Sequence, residues 1–220
     1  MERYGTIPKR FTKEWWSYFW YYYKWHVLGT LFALFFIVFT CVQCATRPKY
    51  DTMVTYAGSK VYDDAALNAL ASLAGQDFPD IDGNGKVLVG VQQMNFSNNA
   101  STAEYDYAIQ TKLDLTLQDG ETLLYLYDKA TAELMLGREY ADQIYAPLSQ
   151  WCANPKQGEQ LMIGTEGYAI SLAGSKLLEE NQIYYEDLYL VVRTPKDQDE
   201  KTLAAYNASI AFANKLVSNQ

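Results

Sequence analysis

From Trp25 to Thr46 the chain runs through WHVLGTLFALFFIVFTCVQCAT without a single Asp, Glu, Lys or Arg. As a helix rising about 1.5 Å per residue, that stretch reaches roughly 30 Å, the thickness of a bilayer's hydrocarbon core. Soluble core helices seldom run so long without a charge. Trp15, Trp16, Trp20, Tyr21, Tyr22, Tyr23 and Trp25 crowd its N-terminal side, where amphipathic rings favour the headgroup region. The expectation is a membrane-spanning helix over 25–46, preceded by a basic and aromatic tail over 1–24.

A cleaved signal peptide shares the design of a basic segment followed by an apolar run. Here the run is long and starts late, which favours an uncleaved anchor. Cys41 and Cys44 suggest lipid attachment, but Phe39-Thr40 and Val42-Gln43 lack the small residue that such a site places before its cysteine. Charge then sets the expected orientation. Arg3, Lys9, Arg10, Lys13 and Lys24 precede the segment, and Arg47 and Lys49 follow it, so the excess of positive charge predicts a cytoplasmic N-terminus and a body outside the cell.

The charge balance splits at the same place. Residues 1–49 hold seven Lys or Arg against two Glu, a balance of +5, whereas residues 50–220 hold eleven basic against twenty-four acidic side chains, a balance of −13. The acidic body argues against nucleic acid as a partner, because phosphate repels it. The bilayer is the first partner expected, and another membrane or envelope protein is one that an anchored module would meet.

Histidine and cysteine narrow the chemistry further. His26 is the only histidine and belongs to the apolar segment, so the body lacks the means for a Ser–His–Asp or Cys–His arrangement or a His-ligated zinc site. Cys152 stands alone there and reads as a small buried hydrophobe. Glu179-Glu180 and Glu186-Asp187 read as solvated surface charge. These features predict a non-enzymatic domain with no resident cofactor; a carboxylate-dependent cell-envelope enzyme is the alternative.

After a stem at 47–50, a single domain is expected over 51–220. Asp51–Ala57 alternates and is β-branched, as a strand does. Asp63-Asp64 can cap a helix whose Leu67, Leu70 and Leu73 recur at helical spacing before Gly75. Lys86–Met94 reads as a strand, Thr102–Leu117 as a helix and Glu121–Tyr127 as a strand. Asp128 can cap a helix closed by Gly137. Three strand–helix units in succession predict an α/β fold with a mainly parallel sheet and helices on both faces. A polar loop at Asn154–Gln160, strands at Glu166–Leu172 and Glu186–Arg193, and a last helix over Asp197–Asn219 complete the expectation.

Taken together, these elements resemble one lobe of an extracellular solute-binding protein of the kind used by bacterial ABC importers. The likeness covers about residues 51–193 and lies in Leu123-Leu-Tyr-Leu-Tyr127 followed by Asp128, in Tyr145-Ala-Pro-Leu-Ser-Gln-Trp151, and in Tyr168-Ala-Ile-Ser-Leu172 ahead of Tyr189-Leu-Val-Val-Arg193. With its Tyr22-Tyr23-Lys24-Trp25-His26 run, the whole chain is also similar to a group of uncharacterised single-pass membrane-anchored proteins of Gram-positive bacteria. The resemblance implies an interaction or solute-recognition module outside the cell. The outer residues suffice for one lobe, not for two that close on a ligand. Open α/β sheets place their sites at the carboxyl ends of the parallel strands, where Gly58, Ser59, Asn95 and Asp128 are expected; ordinary strand-to-helix turns are the other reading of those residues.

One motif has ligand spacing. Asp80-Ile-Asp-Gly-Asn-Gly-Lys86 fits the first half of a calcium loop, with Asp80, Asp82 and Asn84 offering side chains and Lys86 its carbonyl. The twelfth position is Val91, where a bidentate Glu should stand. A tight polar turn with Gly83 and Gly85 at positive φ is the competing expectation.

Overall fold

Thr12 opens the first helix, its hydroxyl accepting a hydrogen bond from the Trp15 N–H at 3.2 Å. In the computed structural model, which describes residues 9–46, 49–97, 100–155 and 158–218, this helix α1 runs Lys13–Thr46. The expected segment 25–46 is thus the later part of a longer rod, and most of the expected tail continues the same helix. Rings four residues apart explain the extension: Trp15 stacks on Phe19, Phe19 on Tyr23, and Tyr18 meets Tyr22, with centroids 4.8–5.4 Å apart. Thr30, Thr40 and Thr46 return their hydroxyls to the carbonyls of His26, Phe36 and Val42, which removes three polar groups that hydrocarbon would penalise. Among the described residues α1 is the one helix long and apolar enough to cross a membrane. Positions 47 and 48 of the stem lie outside the described residues.

The chain divides into two units, Met1–Lys49 and Tyr50–Gln220. The second is built on a six-stranded sheet of β1 (Thr52–Gly58), β2 (Val89–Asn95), β3 (Leu124–Asp128), β4 (Gln160–Ile163), β5 (Glu166–Ser171) and β6 (Leu188–Val192). The strand order is β2-β1-β3-β6-β5-β4. β1 lies parallel to both β2 and β3, but β6 is antiparallel to β3 and β5, and β4 to β5. The sheet is therefore mixed and not mainly parallel, which corrects the expectation. For β4 and β5 the reason is local: Gly164, at φ 61°, and Thr165 form a two-residue turn, which can only join antiparallel strands, whereas the direction of β6 is set by its pairing with β3 and β5. β4 begins at Gln160, the last residue of the expected Asn154–Gln160 loop, and its four residues carry too little pattern to announce a strand.

Helices α2 (Asp64–Ala74), α3 (Ala103–Asp119), α4 (Lys129–Leu136), α5 (Ala141–Ile144), α6 (Leu148–Trp151), α7 (Lys176–Glu180) and α8 (Glu200–Ser218) cover the sheet. Asp63 caps α2 as expected, accepting the Ala66 N–H at 2.9 Å. Strand side chains alternate between two cores. Val54, Tyr56, Leu124, Leu126, Leu190 and Val192 face α2, α6, α7 and α8. Ala57, Met94, Tyr125, Tyr127, Tyr189 and Val191 face α3, α4 and α5. Tyr127 and Tyr145 share a hydroxyl contact at 3.0 Å inside the second core, so neither phenol is left unpaired when buried. Cys152 is buried, in accord with its reading as a small hydrophobe.

Candidate functional site

The connections define where a ligand would sit. β1 leaves through α2 towards β2 on one side, and β2 returns through α3 to β3 on the other side of β1. α2 and α3 pack in opposite cores. The gap above the carboxyl ends of β1 and β3 is therefore a topological switch point, the place where open α/β sheets leave a crevice.

Gly58 ends β1 and Asp128 ends β3. The Asp128 carboxylate is buried, yet it has three partners: Oδ2 accepts the Ser59 N–H at 2.7 Å and the Ser59 hydroxyl at 2.9 Å, and Oδ1 accepts the Thr131 N–H at 2.9 Å as the cap of α4. Gly58 permits this close approach. A Cβ there would lie 2.5 Å from the Tyr56 hydroxyl and 2.9 Å from Cγ of Asp128. Gly58→Val is accordingly expected to crowd the crevice and to destabilise the domain by about 2 kcal/mol, read as a lowered urea midpoint with an unchanged m-value.

Beside these residues opens a cavity of about 230 Å³ lined by Tyr56, Ser59, Lys60, Tyr62, Asp128, Tyr184, Asp187 and Leu188. The loop after β1 is fixed from both sides. The Tyr56 hydroxyl accepts the Lys60 N–H at 3.1 Å, the Gln93 side chain accepts the Tyr62 N–H at 2.8 Å, and Asn95 Nδ2 donates to the Lys60 carbonyl at 2.5 Å. Tyr62 donates its hydroxyl to the Tyr184 carbonyl at 2.9 Å and stands edge-on to Tyr56, with ring centroids 4.7 Å apart. Burial, above all, raises the pKa of both Tyr56 and Tyr62 far above the ordinary phenol value, and the negative charges of Asp128 and Asp187 add to it, whereas the Lys60 N–H works the other way at Tyr56. Both phenols stay neutral at physiological pH.

Of the expected edge residues, Gly58, Ser59 and Asp128 converge here. Asn95 does not line the cavity; it holds the backbone of the loop that does. Sequence reasoning missed Tyr56, Lys60, Tyr62 and Tyr184, and took Asp187 for surface charge. Those at 184 and 187 reach the crevice because β6 is antiparallel to β3, which brings the segment before β6 to the carboxyl end of β3. An all-parallel sheet would have put that segment at the opposite edge.

The Asp80–Lys86 loop lies elsewhere, ahead of β2. Asp80 Oδ1 accepts the N–H groups of Gly83 and Asn84 at 2.8 and 3.2 Å, and Oδ2 that of Gly85 at 2.6 Å. Asp82 accepts the Asn84 N–H at 3.0 Å, and Asn84 Oδ1 the Lys86 N–H at 2.9 Å. Asp51, unforeseen in this role, accepts the Ile81, Asp82 and Leu88 N–H groups at 2.8–3.1 Å, so that carboxylate oxygens of Asp51, Asp80 and Asp82 lie within 4.8 Å of one another. Val91, the twelfth position, is paired with Val54 in the sheet. The side-chain oxygens are thus engaged by the loop's own amides, as in a polar turn with Gly83 and Gly85 at φ 74° and 80°.

These bonds, first that from Gly85, lower the Asp80 pKa below the usual carboxylate value. A carboxylate depressed in the folded state stabilises above its unfolded pKa near 4, and that stability is lost as pH falls through the lower folded value. Asp80→Asn is expected to flatten the acid limb of the stability curve below about pH 4 while leaving the neutral-to-alkaline limb parallel to wild type, in urea titrations across pH. In the same titrations, millimolar calcium is expected to leave the wild-type midpoint unmoved; an ion bridging Asp51, Asp80 and Asp82 would raise it.

Fold and crevice together define an α/β domain with a small polar and aromatic site, in a chain that also has a helix able to span a membrane. No protein-family model matches the chain, and comparison with curated proteins and with solved structures finds no match to either.

Proposed function

We propose that this protein is a single-pass membrane-anchored module, with its N-terminus cytoplasmic and residues 50–220 outside the cell, that recognises a small solute without transforming it. The observation that carries the reading is the convergence of Gly58, Ser59 and Asp128 with three tyrosines at the switch-point crevice. A binding role is supported over a catalytic one by the state of Asp128. Both its oxygens are engaged by backbone or hydroxyl donors that have structural duties, so it is poorly placed to cycle a proton as a carboxylate-dependent enzyme requires. The resemblance to one lobe of a solute-binding protein belongs to the same proposal: one lobe offers a shallow site, from which bound solute is readily passed to a neighbouring membrane protein.

Two measurements test it. In a background with Cys41→Ser and Cys44→Ser, a membrane-impermeant maleimide applied to intact cells should label Gln118→Cys but label Lys9→Cys only after permeabilisation; the reverse pattern overturns the orientation. For the site, the full chain in lipid nanodiscs is melted against a panel of small polar solutes. A ligand at a hundred times its Kd stabilises by about 2.7 kcal/mol. A solute that raises the melting temperature of wild type and not of Gly58→Val supports the crevice, and stabilisers that act equally on both chains count against it.

A further inference from the structure

Lys60 already shows what the crevice accommodates. Its ammonium nitrogen lies 3.3 Å from the centroid of the Tyr184 ring, well inside the range over which an aromatic face attracts a cation. The segment that carries this ring is anchored, since the Tyr184 backbone carbonyl accepts the Tyr62 hydroxyl. Around the cavity one ammonium faces two carboxylates, Asp128 and Asp187. Taking Lys60 out would leave the lining with two carboxylates beside three aromatic rings, an environment that favours a compact cation over an anion. The exposed lysine has a flexible four-carbon stem and can swing away, while the backbone carrying Tyr184 stays anchored through Tyr62.

We infer that the crevice binds a small organic ammonium ion, primary or quaternary, over the face of Tyr184 and beside Asp128 and Asp187, and that Lys60 is an internal placeholder which the ligand displaces. The inference rests on the solute-recognition reading above and names its ligand class. The cavity's 230 Å³ equals the liquid volume of roughly seven or eight waters, so the ligand is small. The net charge of −13 on residues 50–220 concentrates cations near the domain and speeds their encounter, an effect that salt weakens.

The test uses the full chain in nanodiscs of neutral lipid, with tetramethylammonium and propylammonium as probes, tert-butanol as a neutral probe of similar size and acetate as an anionic one. Calorimetric titration of wild type should give saturable binding of both ammonium probes. Lys60→Met removes the competing ammonium but keeps the stem, and is expected to bind them about tenfold more tightly, the scale set by the loss of one cation–π rival. Tyr184→Leu should abolish binding and Tyr184→Phe should retain it, which a merely structural role for the ring would not produce; circular dichroism confirms that each variant is folded. Weaker or unchanged ammonium binding in Lys60→Met overturns the placeholder role. Binding of tert-butanol or acetate, lost in Tyr184→Leu, without binding of either ammonium probe overturns the ligand class and leaves the solute-recognition reading standing. If no probe of any charge binds wild type or Lys60→Met, both fall.

Discussion

Asp128→Ala is expected to lower the stability of the folded domain by about 3 kcal/mol, the sum of a lost helix cap and of a donor pair at Ser59 left to find water. In a domain of this size that is a fall of roughly 8 °C in melting temperature. Asp128→Asn should cost less, since its carbonyl oxygen can still accept one of the two sets of donors, but the amide group must turn a donor towards the other. The ordering wild type, Asn, Ala in urea midpoints checks the assignment. If both variants matched wild type, the carboxylate would not be what joins the turn after β1 to the start of α4. Because this one residue ties the ends of two parallel strands together, its loss should also widen the crevice and weaken any solute held there.

Phe212→Ala is expected to be more damaging still, by about 4 kcal/mol, the cost of a large cavity in a packed core. Phe212 is wholly buried on α8 and belongs to the core that also holds Leu190, Val192 and Leu216. α8 is attached through its buried stripe of Ala205, Ala208, Phe212, Ala213, Leu216 and Val217. The melting temperature should drop by roughly 10 °C, and amide exchange along α8 should accelerate more than in β1 or β3. Uniform acceleration would show that the helix and the sheet unfold as one unit.

Both predictions concern features of unequal legibility in the sequence. Asp128 was legible: a carboxylate just after an apolar strand and before an Ala-rich run is a helix cap on local grounds alone, and its closeness to Gly58 and Ser59 follows once β1 and β3 are both taken as parallel. The last helix was legible for the same local reason, a 3–4 spacing of Leu203, Tyr206, Ile210, Ala213, Leu216 and Val217, but its buried face was only half seen: Ala213, Leu216 and Val217 are buried, whereas Leu203 is exposed and Ala205, Ala208 and Phe212 take the core positions in its place. What the sequence concealed is whatever depends on distant partners. Nothing in Leu188–Val192 distinguishes a parallel from an antiparallel strand, because a strand buried on both faces is apolar throughout in either direction. Tyr184 and Asp187 could be placed at the site only after that direction was known. Asp51 went unnoticed for a similar reason, since its partners at Ile81, Asp82 and Leu88 are thirty or more residues away. The extent of α1 was missed because Trp and Tyr are only moderate helix formers, and the stacking that sustains them is a property of the helix already formed.

The length of α1 has a mechanical consequence. Its 34 residues make a rod of about 51 Å, well beyond the roughly 30 Å of hydrocarbon it would cross. Its tryptophans and tyrosines are spread from Trp15 to Trp25, over about 15 Å of rise, in place of a single ring. Lys24 and Arg47 bound its charge-free part, so a bilayer would hold the rod at the depth those charges allow, and the turns ahead of Lys24 would carry their indoles and phenols through the headgroup layer and beyond it. The aromatic residues of α1 would thus meet the headgroup layer along a depth of the helix, where a shorter anchor would meet it at one level.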